Sequence, residues 1–235
     1  MLNGEVALVV GGFRGAAKYL SLDLCNYGAD VIIIGREEKE LEEMHKLNEK
    51  KISYFVGDIT NEDTIKNLVK NISEKYGKLN ILVNNLDFYD AKSIKELKIS
   101  DYDKLFNYNV RAPVNLTKEF LPLILKCKGQ IINIFSTNSS YCSPMISMYS
   151  GAVAAFNQIS NCWSKELSEN KIKINSLSPV TIDIDNWKEF NLIFKCGHEA
   201  LIREEDERAK IIAEQAFFFI NKEGFFITGS NLSYD

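Results

Sequence analysis

The stretch Val6-Ala7-Leu8-Val9-Val10-Gly11-Gly12-Phe13-Arg14-Gly15-Ala16-Ala17 runs five apolar residues into a glycine-punctuated turn and out into an alanine-rich helical pattern. An unbroken apolar run of that length reads as a strand buried on both faces. Gly11 and Gly15 allow a tight turn from strand to helix, and by themselves they fit an ordinary strand-to-helix junction. The alternation continues along the chain. VIIIG (31–35), ISYFVG (52–57), LNILVNN (79–85), GQIINIF (129–135), IKINSLS (172–178) and FFITG (225–229) are six further candidate strands. Amphipathic stretches lie between them, from Glu37 to Glu49, Asn61 to Tyr76, Tyr102 to Leu125, Tyr149 to Glu169 and Glu204 to Ile220. Apolar strands alternating with helices predict a seven-stranded parallel sheet, doubly wound by right-handed crossovers, with helices on both faces in three αβα layers.

At 235 residues, 46% hydrophobic and 26% charged, the chain fits one α/β domain of Rossmann type spanning residues 1–235. A net charge of −4 argues against nucleic acid as a partner, because phosphate backbones need a clustered positive surface. Cys25, Cys127, Cys142, Cys162 and Cys196 are odd in number and scattered without metal-binding spacing, so they read as reduced thiols. With only His45 and His198 to assist them, no metal site is expected. No basic-then-apolar leader and no membrane-spanning run is legible, which predicts an intracellular protein of the cytoplasm or an organelle matrix. Residues 180–203 are the least regular part of the chain.

A second stretch bears on chemistry. The strand from Gln130 to Phe135 ends at Ser136, and thirteen residues later Tyr149 opens the segment YSGAVAAF. The whole, NIFS-x12-YSGAVAAF, resembles the active-site region of the short-chain dehydrogenase/reductase family, whose pattern is NISS followed by YxxxK. The resemblance implies that Tyr149 passes a proton to or from a substrate oxygen, with Ser136 beside it. It also implies a lysine four residues after the tyrosine, which lowers the phenol pKa and holds the cofactor ribose. Here that position is Val153. FNYNVRAPVNL resembles the family segment that places Asn109 where an asparagine kinks a helix and holds a relay water. Asn109, Ser136 and Tyr149 are thus three of the family's four catalytic positions. An unperturbed tyrosine is only about one part in a thousand phenolate at neutral pH, and general acid–base catalysis is worth about 10² to 10⁴ in rate. Lys165 lies about 18 Å further along the same predicted helix, too far to replace the missing ammonium.

The same resemblance extends to a nucleotide. Val10 to Ala17 matches the family's TGxxxGIG turn at Gly11 and Gly15, with Val10 and Ala17 departing from it. Gly35 stands where members preferring NAD carry an acidic residue, so Arg36 and Arg14 imply a clamp on the 2′-phosphate of NADP(H). Two exposed loop arginines without a ligand would look the same in sequence. Asp58 matches the family aspartate that bonds the adenine amine, and as a lone residue it equally fits a helix-start signal with Thr60 or Asn61 as cap. Asn84-Asn85-Leu86-Asp87 resembles NNAG, with Asn84 at the cofactor and Leu86 and Asp87 departing. Pro179-Val180-Thr181-Ile182-Asp183-Ile184 resembles PGxIxT, with Pro179 retained and Val180 and Ile184 replacing the glycine and threonine that receive the nicotinamide. By resemblance, residues 180–203 are a substrate lid, and Trp187, Phe190 and Phe194 fit an apolar pocket or a partner surface equally.

Three readings follow. The first is an NADP(H)-binding pseudoenzyme, a partner subunit or sensor, supported by the joint changes at Asp87, Val153, Val180 and Ile184. The second is a working NADPH-dependent carbonyl or enoyl reductase using Ser136 and Tyr149 without the lysine. The third is a structural subunit of a larger assembly that binds no nucleotide. The family implies a homodimer or tetramer through the helices Tyr102–Leu125 and Tyr149–Glu169. Phe156, Ile159 and Trp163 recur on one side of the latter, as an interface seam or as core.

Overall fold

Successive side chains of the first strand point to opposite faces of the sheet, and that alternation builds two cores. Ala7 and Val9 enter one with Leu20, Leu24, Ala213 and Ala216, while Val6, Leu8 and Val10 enter the other with Leu68, Leu116 and Phe120. The computed structural model describes residues 2–85, 88–135, 144–179, 205–221, 224 and 226–234. Its strands are β1 (Val6–Val10), β2 (Asp30–Gly35), β3 (Ile52–Val56), β4 (Ile81–Asn85), β5 (Gln130–Ile134), β6 (Lys173–Pro179) and β7 (Asn231–Tyr234). They form one sheet in the order β3-β2-β1-β4-β5-β6-β7, every neighbouring pair parallel. The helices are α1 (Gly15–Asn26), α2 (Glu38–Leu47), α3 (Glu62–Tyr76), α4 (Ile99–Phe106), α5 (Ala112–Cys127), α6 (Ser147–Glu166) and α7 (Glu205–Ile220). Helices α1, α2 and α7 cover the first core, and α3 and α5 cover the second. This is the expected doubly wound, three-layered α/β sheet of seven strands.

Two elements differ from the expectation. The last strand is Asn231–Tyr234, not 225–229. The more apolar run instead leads up to it: Phe226 is 91% exposed, and the Gly229 N–H donates to the Ile174 carbonyl at 2.8 Å. An edge strand has one neighbour and needs less apolar sequence, so a short polar segment could take the place. The long helix predicted from Tyr102 to Leu125 is divided by a π-helical turn, Asn107–Arg111, between α4 and α5. Pro113 supplies the reason. It has no N–H to return to the carbonyl of Asn109 four residues back, and its ring would crowd that carbonyl in a regular α-helix. The wider turn relieves the conflict.

A buried polar ladder joins the sheet to the helices beside it. Asn84 Nδ2 donates to Asn133 Oδ1 (2.9 Å) and to Thr117 Oγ1 (3.2 Å), and Asn133 Nδ2 donates to Ser160 Oγ (2.9 Å). Adjacent strands β4 and β5 are thereby linked to α5 and α6 through side chains as well as through packing.

Helix α3 illustrates local agreement of sequence and structure. Asn61 caps it, its Oδ1 accepting from the N–H groups of Asp63 (2.8 Å) and Thr64 (3.4 Å), and Gly77 closes it in the left-handed region at φ 70°. Replacing Asn61 with Ala should cost about 1 kcal/mol. Thermal unfolding should show a midpoint lower by about 2–4 °C, with the sheet otherwise intact.

Candidate active site and nucleotide cleft

Strands β1 and β4 are neighbours in the sheet, but the chain leaves them in opposite directions, to β2 on one side and β5 on the other. Such a switch point opens a crevice at the carboxyl ends of the strands. Here it is a cleft of about 660 Å³, counting its open mouth, lined by residues including Gly11, Arg14, Arg36, Asp58, Asn85 and Tyr108. Gly11 has φ 66°, and a Cβ there would come within 3.3 Å of Asn85 Nδ2 and 3.5 Å of the Asn85 carbonyl. The turn therefore needs glycine for both its conformation and its closeness to β4. Gly15, at φ 53°, opens α1, whose first turn carries no acidic side chain to compete for its free amides. These features fit a bound phosphate.

Arg36, Asp58 and Tyr108 form one charged wall of the cleft. Arg36 Nη1 donates to Tyr108 Oη at 3.2 Å, and Tyr108 Oη donates to Asp58 Oδ2 at 3.0 Å. Asp58 Oδ1 accepts from the Thr60 N–H (2.9 Å) and hydroxyl (2.8 Å). Partial burial alone would raise the Asp58 pKa, but the Thr60 donors, the Tyr108 hydroxyl and Arg36 hold it below the ordinary aspartate value. Burial and the Asp58 carboxylate push Tyr108 above the ordinary tyrosine value. Phe13 lies across Gly35, where a Cβ would collide with its ring, and Arg14 stands 5.6 Å from the Phe13 centroid. Gly11, Arg14, Arg36 and Asp58 thus share one cleft, with Gly15 at the helix start beside it.

Asn84 is not in that cleft. Its side chain is buried in the polar ladder, and Asn85 lines the cleft instead. Strand parity explains this: Leu82 belongs to the core beneath α3 and α5, and two residues later Asn84 points the same way. Pro179 ends β6, buried at the carboxyl edge of the sheet. Asn85, Phe13, Phe88 and Tyr108 are cleft residues that sequence reasoning missed.

At the other end, Asn109 sits in the π-helical turn with its side chain clamped to one residue. Its Oδ1 accepts from the Phe88 N–H (2.9 Å) and its Nδ2 donates to the Phe88 carbonyl (2.7 Å). Tyr149 lies in the first turn of α6, only 1% exposed, with the Tyr89 ring edge-on at 5.1 Å. Val153 is 3% exposed one turn later, packed in a cluster with Leu105, Phe135, Ile146, Tyr149 and Phe156. The Lys92 N–H donates to the Met145 carbonyl at the approach to α6, but its ammonium is held by Asp90 (3.0 Å) and Asp101 (2.8 Å). Ser136, Leu86, Asp87, Val180, Thr181, Ile184 and the lid-like stretch 180–203 lie outside the described residues.

Among the described residues, no group of His, Cys, Asp and Glu is arranged to hold a metal, and no helix is long and apolar enough to cross a membrane. The chain is 27% identical over its whole length to the 3-oxoacyl-[acyl-carrier-protein] reductase FabG of Thermotoga maritima, covering 97% of that protein. It is 28% identical, again over its whole length and 96% of the relative, to an uncharacterized oxidoreductase of the same organism. An uncharacterized oxidoreductase of Staphylococcus saprophyticus is 28% identical across 77% of this chain and 80% of its own. Residues 5–192 match the short chain dehydrogenase family, a span that contains the glycine turn, the Asn109 kink and the tyrosine helix together. On that match and the sheet that carries those three elements, the chain belongs to the short-chain dehydrogenase/reductase family.

Proposed function

We propose that this protein binds NADP(H) in the cleft between β1 and β4 and transfers hydride weakly or not at all, serving as a nucleotide-binding partner subunit or sensor. The single observation that carries the reading is the apolar packing of Val153 around Tyr149. The chemistry a nicotinamide supplies is hydride donation or acceptance, and the protein's part is to move a proton at the substrate oxygen. For that, Tyr149 needs a cation that makes its phenol a ready donor and acceptor. The neighbouring cluster offers side chains of Leu105, Phe135, Ile146 and Phe156. Val153, packed in that cluster at the position where the family carries its lysine, brings no ammonium of its own, so the proton-transfer step is expected to be slow.

The nucleotide half of the reading rests on the positive-φ glycine at position 11, the α1 amides and the two arginines. Arg14 and Arg36 suit a 2′-phosphate, while Gly35 brings no carboxylate to repel it. Calorimetric titration should therefore find NADPH binding in the micromolar range and NADH at least about tenfold weaker, the difference of one charge-assisted contact. Binding of neither nucleotide would retire the reading in favour of a structural subunit.

A second reading, a working 3-oxoacyl thioester reductase, is favoured by the full-length similarity to the Thermotoga protein of that name. Acetoacetyl thioester is thus the substrate to try. The wild-type protein should turn it over far below the range of about 1 to 10³ per second usual for enzymes. Val153→Lys should raise the rate by about 10² or more if the nicotinamide end is otherwise sound. Wild-type turnover within the usual range would overturn the pseudoenzyme reading. No gain in a folded, NADPH-binding Val153→Lys variant would instead place the defect beyond one residue.

A homodimer or tetramer through the α4, α5 and α6 face belongs to the same proposal. Phe156 is core, and Trp163 packs partly on it, but Ile159 lines a shallow groove with Tyr102, Phe106, Val110 and Val114. Light scattering should report a dimer or larger species, and Ile159→Glu should shift it toward the monomer mass.

A further inference from the structure

We propose that Tyr108 is a positioning residue that keeps Arg36 available to a 2′-phosphate by standing between that arginine and Asp58. The proposal rests on the NADP(H) reading above and deepens it. Arg36 approaches Asp58 Oδ2 only to 4.0 Å, whereas its Nη1 reaches the Tyr108 hydroxyl at 3.2 Å, and the hydroxyl reaches Asp58 at 3.0 Å. The phenol oxygen therefore occupies the place that a direct guanidinium–carboxylate pair would need. Such a pair, hydrogen-bonded directly, closes to about 2.7–2.9 Å and draws both groups away from a ligand.

The ring is fixed in that role from several sides. It stacks on Phe88 at 5.1 Å with planes 28° apart, and the next residue, Asn109, clamps the Phe88 backbone. The Arg36 guanidinium lies 5.9 Å from the Tyr108 centroid, so the ring also supports the cation from one face. Glu37 is the other carboxylate on Arg36: its Oε1 stands 3.7 Å from Nη2, and its Oε2 accepts from the Arg36 N–H at 3.2 Å. Both carboxylates thus draw on the guanidinium, and Tyr108 limits the nearer approach of Asp58. At neutral pH the hydroxyl keeps its proton and the carboxylate stays ionised, since their pKa values are displaced up and down respectively.

Removing the hydroxyl lets Arg36 fall onto Asp58. Any loss at Asp58 is shared by ligands with and without the ribose phosphate, so the ratio of their affinities isolates the loss at Arg36 and gives a readout that a general weakening of the fold would not produce. The experiment uses the adenosine half of the cofactor alone, adenosine 2′,5′-bisphosphate against 5′-AMP, titrated calorimetrically into the wild-type protein, Tyr108→Phe and Tyr108→Phe/Asp58→Asn. Expected is a preference for the bisphosphate in the wild type, a fall of that preference by about tenfold in Tyr108→Phe, and its recovery in the double variant, where residue 58 is neutral and cannot trap the arginine. An unchanged or increased preference in Tyr108→Phe overturns the proposal while leaving NADP(H) binding in place. Wild-type protein that binds neither probe overturns the NADP(H) reading itself, and the proposal with it. Should Tyr108→Phe fail to fold, Asp58→Asn alone serves: an increased preference is expected, and an unchanged or decreased one overturns the proposal.

Discussion

The Gly11 backbone lies close against Asn85, across the two strands whose connections leave in opposite directions, and that closeness shapes the cleft. A side chain at position 11 would press on β4 and would also force an unfavourable φ, so the turn could not close against the sheet. With glycine there, β1 turns directly into α1, the helix start faces the crevice, and the loops after β2 and β3 bring Arg36 and Asp58 to the same edge. The cleft is a product of chain direction before it is a product of any side chain.

Within that frame the two ends of the site differ in kind. The end with Arg36 and Asp58 is a connected set of charges and hydroxyls, with Asp58 satisfied on both oxygens and Arg36 reaching into the set. The tyrosine side is built as core, with Tyr149 and Val153 packed among aliphatic and aromatic neighbours. Low local polarity strengthens any charge interaction that exists, but it penalises a charge left without a partner. The first environment suits holding an anion. The second suits holding α4 and α6 together.

The fold was legible because most of the parallel strands carry short apolar runs between helical patterns, and six of the seven coincide with a candidate strand, β6 despite the polar residues that interrupt it. The seventh was not, since an edge strand such as Asn231–Tyr234 does not need an apolar run. The break in the long helix was written in Pro113, but the apolar periodicity passes straight through it, and only counting back to the Asn109 carbonyl exposes the conflict. Strand parity from Leu82 would have turned Asn84 inward and Asn85 outward. Tyr108 was beyond sequence reasoning, because its hydroxyl meets a carboxylate fifty positions away through a turn whose shape was itself unforeseen.

The double clamp of Asn109 on Phe88 changes what the presence of that asparagine means. A side chain that satisfies both backbone polar groups of a neighbouring segment, and is buried doing so, is needed for the chain to keep its course there. Such a residue would persist in a protein that had abandoned proton transfer altogether. The Tyr149 ring, edge-on to Tyr89 in the core, likewise has a packing role of its own. Survival of part of a catalytic set is therefore no measure of surviving catalysis in this fold, because the scaffold itself has reasons to retain those residues.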